Sequence, residues 1–204
     1  HKECEMLWGL CAHLCVRGAF AEASTLASEY VQLAERTGDR LALLMADSAA
    51  VMAHHCQGHF AIAQRHADRI HARYRESDGE DLTPVYNHDP VVTSCMYESV
   101  WLWVLGQPDR AAFSSERGVG RARALHHSFN HCYALLNGCC VRLLRGENER
   151  AIEMIEEALA LSEERRIPMF RIYGPLMGAA ALVQRDPSRA TLTWLERCSA
   201  RMAK

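Results

Sequence analysis

The sequence predicts an all-α protein, an α-solenoid of about five helical hairpins and about ten helices. Two observations carry this expectation. First, a short phrase recurs five times: Gly18-Ala-Phe-Ala-Glu-Ala23, Gly58-His-Phe-Ala-Ile-Ala63, Gly106-Gln-Pro-Asp-Arg-Ala111, Gly146-Glu-Asn-Glu-Arg-Ala151 and, without its glycine, Arg185-Asp-Pro-Ser-Arg-Ala190. The closing alanines are 40, 48, 40 and 39 residues apart, and a period of this size marks a repeat architecture. Second, the segments flanking each phrase space their apolar residues as helices do, and none alternates as a strand. Stacked helical repeats usually offer binding surfaces. The expectation is therefore a binding protein, with no enzymatic activity, no catalytic residue, no metal and no cofactor.

The hairpins fall at about 1–37, 38–75, 88–126, 127–166 and 167–204 within a single domain, 1–204. In the first, helices run over about 3–17 and 20–36. Gly18 ends the first of these as a C′ glycine does, taking a left-handed conformation without a Cβ penalty. Ala23, Leu26, Ala27, Tyr30, Leu33 and Ala34 form the apolar stripe of the second, which ends at Thr37-Gly38-Asp39. The second hairpin spans helices at about 41–57 and 60–75. The eight extra residues of the long interval belong to a polar stretch with Gly79 and Pro84, expected as a loop over 76–87. Asp89 before Pro90 starts the next helix, because Asp caps and Pro suits the first helical position. Helices follow at about 90–105, 108–125, 128–145 and 147–166. The last of these is acidic at its start and basic at its end, matching the helix dipole. In the fifth hairpin helices open at Pro168 and Pro187, with a kink or late start at Pro175. A lone hairpin cannot bury both apolar faces, so neighbours must stack. The closing alanine admits close helix approach, and Phe20 and Phe60 wedge between hairpins.

The chain has 204 residues, is 49% hydrophobic and has a net charge of −2. It carries no basic block, so direct nucleic-acid binding is not expected. No apolar run nears the roughly 20 residues of a membrane span, and no secretory pattern opens the chain. The nine cysteines are irregularly spaced in apolar stretches, which fits buried free thiols and a cytoplasmic location. A start at His1, almost directly in helical sequence, suggests a segment of a longer polypeptide.

Phosphate-loop, nucleophile-elbow and His-Glu-x-x-His patterns are absent. Eleven histidines raise a metal reading. Inter-repeat loops of a solenoid align along one edge, where His88 and Asp89 could neighbour His126 and His127, in a set suited to Zn or Ni. None of these spacings is a recognised ligand pattern, and capping or solvated histidine is the simpler account. Cys11 and Cys15 share a helix face and Cys139 adjoins Cys140; a redox switch there would need exposed, low-pKa thiolates. Arg110, Arg117, Arg121 and Arg123 could meet acidic partners, against the simpler reading of a solvated face.

Gly18-Ala-Phe-Ala-Glu-Ala23 and Gly58-His-Phe-Ala-Ile-Ala63 resemble the tetratricopeptide turn, typically Gly-Asp-Tyr-Glu-Glu-Ala, although the period here exceeds that family's 34. Tyr86-Asn-His-Asp-Pro90, Trp101-Leu-Trp-Val-Leu-Gly-Gln-Pro-Asp-Arg-Ala111 and Ala124-Leu-His-His-Ser-Phe129 are similar to the repeat region of bacterial multidomain signalling proteins. Those carry a nucleotidyl cyclase or winged-helix effector domain, then a signal-transduction ATPase, then such repeats. Asn87 and Gln107 depart from the family's Gly and Tyr. The resemblance implies a right-handed superhelix whose first helices line a concave groove. Tyr97, Trp101, Trp103, Tyr133, Asn137, Arg142, Arg171 and Tyr173 then become groove candidates, with core packing the competing role for each. Implied partners are a peptide or protein, upstream domains of the same polypeptide, or a small-molecule effector. The runner-up is a passive scaffold or dimerisation module without a ligand site, for which an apolar terminal helix (Trp194, Leu195, Cys198, Met202) would favour self-association; a third reading is a metal-binding enzyme using the edge histidine cluster.

Overall fold

The computed structural model describes residues 2–202. The described residues form eleven helices and no strand: α1 (Lys2–Val16), α2 (Phe20–Thr37), α3 (Arg40–Cys56), α4 (Phe60–Arg73), α5 (Asp78–Tyr86), α6 (Pro90–Val104), α7 (Pro108–Ala124), α8 (Ser128–Leu144), α9 (Asn148–Glu164), α10 (Pro168–Arg185) and α11 (Arg189–Met202). None is long and apolar enough to cross a membrane.

The four copies of the phrase that keep their glycine close their turns by one mechanism. Gly18, Gly58, Gly106 and Gly146 all have φ of 74–77°. The Gly18 amide donates to Cys15 O (3.1 Å) and the Ala19 amide to Leu14 O (2.9 Å), the paired bonds of a Schellman motif. The same pair recurs at Gly58 and His59, at Gly106 and Gln107, and at Gly146 and Glu147. The residue before the glycine adds a tie to the preceding hairpin. Gln57 Nε2 donates to Phe20 O (3.0 Å), and Arg145 Nη1 donates to Pro108 O (3.2 Å). Each accepting carbonyl belongs to the first residue of α2 or α7 and takes this bond on its second lone pair, beside the i+4 amide of its own helix.

Ala23, Ala63, Ala111 and Ala151 are fully buried. Ala190 is exposed, so the fifth phrase keeps the residue without its packing role. Asp39 and Asp89 cap α3 and α6. Asp39 Oδ1 accepts from the amides of Leu41 and Ala42, and Asp89 Oδ1 from those of Val91 and Val92.

The stretch 76–87, expected as a loop, contains α5 instead, and the helices number eleven rather than ten. Three acidic residues in its first turn favour the helix N-terminus. Asp78 is buried and takes a bidentate pair from Arg40 (2.5 and 2.6 Å) plus the Arg75 amide. Leu82 is buried as well. These anchors outweigh Gly79 and Pro84, which remain inside the helix. α10 likewise starts at Pro168 and runs through Pro175, so the late start does not occur.

The chain divides into two compact units, His1–Trp101 and Leu102–Lys204. In the first, α2 packs on α1 and α3, α3 packs on α4, and α1 lies beside α3; α5 touches α1. In the second, α7 to α11 pack in sequence and α8 lies beside α10. Its closest approach is at Gly174, where an added Cβ would sit 2.6 Å from Leu159 Cδ2, followed by Gly138, 2.9 Å from Ser115 Oγ. Thus α2 and α4 pack on the neighbouring helices α1 and α3 of the first unit, and α9 and α11 on α8 and α10 of the second.

Candidate functional site

In the 102–204 unit, helix periodicity sets Tyr133, Asn137 and Cys140 in one stripe of α8. Asn137 Nδ2 donates to Tyr133 O (2.7 Å). A hydrogen bond from Cys139 lowers the Cys140 pKa against burial, which raises it, and a smaller contribution in the lowering direction comes from Tyr173 on the adjacent α10. Tyr133, Asn137 and Tyr173 are half-buried and Arg171 is exposed, its Nε 2.9 Å from Glu163. This face joins aromatic edges and an amide; Arg171 precedes Tyr173 by two residues, about 200° around α10, and so lies on the other side of that helix. Trp103, in the same unit, is half-buried on α6.

Arg142 belongs elsewhere. It follows Cys140 by two residues, about 200° around the helix. Its guanidinium binds Glu147 (2.6 Å) and Glu116 (2.5 Å), at a cavity of about 200 Å³ lined by α7, α8 and α9. It is a structural ion-pair centre on the opposite side of α8 from Tyr133 and Asn137.

Trp101 is a second correction, because it is 1% exposed and so has no surface to offer a groove. Its ring stacks on Phe60 (6.4 Å, 25°) and lies 5.9 Å from His55. Its Nε1 donates to Gln64 Oε1 (3.2 Å). Tyr97 is half-buried, with its ring 4.7 Å from that of His55. Phe60 thus fulfils the wedge role expected of it.

The edge residues have local duties. Besides capping α6, Asp89 accepts a short hydrogen bond from the Tyr74 hydroxyl. The His88 ring meets Trp8 edge-on at 5.4 Å. His126 holds a left-handed φ of 51° after α7, a C′ position that glycine fills in the four turns above. His127 caps α8, its Nδ1 2.9 Å from Asn130 Nδ2, and burial lowers its pKa. His88 and Asp89 belong to one unit, His126 and His127 to the other.

His55 is enclosed by Phe60, Tyr97 and Trp101, and burial pushes its pKa down to about 4. The unfolded chain protonates this ring below about pH 6.5 and the folded chain does not. Stability is thus whole above pH 6.5 and falls as pH drops toward 4. His54, lowered by burial and by His66, adds in the same direction. Urea midpoints should show a loss of about 2 kcal/mol from His55 between pH 7.5 and 5.0, and His55→Phe should flatten that part of the profile. An unchanged slope in the variant would refute the assignment.

Seven of the nine cysteines are buried, as their apolar contexts led one to expect. The half-buried pair is Cys56 and Cys140. Cys15 partners Cys56 across α1 and α3: its hydrogen bond lowers the Cys56 pKa to about 7, while that of Cys15 rises.

One cluster escapes sequence reasoning altogether. His71 of α4 and Cys95 and Glu98 of α6 bring one imidazole nitrogen, one thiol sulfur and one carboxylate oxygen within 4.8 Å of one another. Cys95 and Glu98 are buried and His71 half-buried. Gln64 Nε2 donates to Glu98 Oε1 (3.2 Å), so Trp101, Gln64 and Glu98 form a relay of hydrogen bonds. The i, i+3 spacing of Cys95 and Glu98 is visible in the sequence, but nothing there pairs them with His71. No protein-family model, curated protein or solved structure matches this chain.

Proposed function

We propose that the chain is a right-handed α-solenoid of tetratricopeptide type and serves as an interaction module. In this reading it belongs to a cytoplasmic bacterial signalling or transcription-regulatory protein. It binds a peptide or protein partner, or an effector, and passes that state to an attached output domain. The observation that carries the reading is the side-by-side placement of α8 and α10, with Tyr133, Asn137 and Tyr173 on them. Half-buried aromatics contribute area at low entropic cost, and the Asn137 amide oxygen can accept a hydrogen bond. A ligand transmits a signal only through different affinities for two arrangements of the repeats.

The test is selection of peptides from a displayed library against the purified chain. Tyr133→Ala and Tyr173→Ala should each weaken the selected peptides by about tenfold or more, while Arg197→Glu on α11 should not. Peptides indifferent to both α8/α10 variants would sink the reading. The alternative, a scaffold that self-associates, rests on Leu192 and Trp194 of α11, which are 45% and 40% exposed. Cys198 of that helix is buried, Leu195 is half-buried, and the Met202 side chain lies outside the described residues. A concentration-independent monomer in sedimentation would remove this second reading.

A further inference from the structure

We infer that His71, Cys95 and Glu98 bind one divalent transition-metal ion of the zinc class. Three ligand atoms within 4.8 Å of one another can converge on a single ion at the 2.0–2.3 Å bond lengths, roughly, of zinc with nitrogen, sulfur and oxygen donors. The donor set itself selects the metal. A thiolate and an imidazole disfavour magnesium and calcium, and a carboxylate beside them suits zinc better than copper(I). With Cys95 as thiolate, Glu98 as carboxylate and His71 neutral, the ligands carry two negative charges and balance the ion. Binding replaces the Cys95 S–H bond with an S–metal bond and releases that proton to solvent.

The surroundings also fit. Gln64 holds Glu98 through its amide, and Trp101 holds Gln64, the kind of outer support that orients a metal ligand. The buried Cys95 and Glu98 are shielded, while half-buried His71 leaves a path to solvent. Three protein ligands leave a fourth position for water or an incoming donor. The ion would tie α4 to α6 in a chain that has no disulfide among the described cysteines. This inference is independent of peptide binding at α8 and α10.

The experiment is titration of the purified, chelator-treated full chain with cobalt(II), followed by displacement with zinc. One equivalent should bind with a thiolate-to-cobalt charge-transfer band and tetrahedral d–d intensity. Cys95→Ser should abolish the band, and Cys56→Ser, at the most acidified competing thiol, should leave it intact. His71→Gln and Glu98→Gln should weaken zinc by on the order of 100-fold, at least matching what loss of an outer-shell partner costs. Glu98→Gln keeps an oxygen for the Gln64 amide, so its apo form should retain the parent melting curve and show that the loss is not unfolding. Zinc should raise Tm in the parent and not in these variants. Failure to saturate at one equivalent, a band that survives Cys95→Ser, or a band that disappears with Cys56→Ser would overturn the assignment.

Discussion

Trp101→Ala is expected to cost about 3–5 kcal/mol of stability, in the range for deleting a large buried aromatic. The residue is 1% exposed, so nearly its whole ring is lost from a packed interior and only partial collapse can refill the space. Phe60 and His55 lose a ring partner, and Gln64 loses the donor that orients it. Trp101→Phe should recover most of the packing and lose chiefly the hydrogen bond, about 1 kcal/mol. Urea denaturation of both variants makes the comparison. If Trp101→Ala left the midpoint unchanged and abolished partner binding instead, Trp101 would be a groove residue after all.

The second large effect lies in the repeated phrase. Ala63→Leu should destabilise by about 3 kcal/mol, because a fully buried site has no room for three more carbons without displacing its neighbours. Ala190→Leu should change stability by no more than about 0.5 kcal/mol, as at an ordinary surface site, since Ala190 is exposed. Identical positions of one motif thus make opposite predictions. Matching losses in the two variants, read from thermal or urea melts, would contradict the difference in burial.

That contrast shows where sequence reasoning succeeds and where it stops. Turn glycines, Asp89 at a helix start and the prolines opening α6, α7 and α10 act within a few residues of themselves, so local chemistry reveals them. α5 was hidden because Gly79 and Pro84 are strong local breakers, whereas the Arg40–Asp78 pair that offsets them spans 38 residues. Ala190 looks like its four counterparts because a motif records residue type and not coverage. Trp101 was ambiguous because helical spacing tells which residues share a face, not whether that face is covered. The His71, Cys95 and Glu98 group was invisible for the same reason as the Arg40 pair: it exists only where two helices meet.

The hydrogen bonds from Gln57 to Phe20 and from Arg145 to Pro108 bear on how the protein loosens. A hairpin held only by apolar burial could fray by itself at modest cost. Here opening the end of α3 also strips a partner from the start of α2, and opening the end of α8 does the same to α7. Each tied pair is thereby pushed toward yielding as one foldon, so α8 is expected to loosen together with α7 rather than alone.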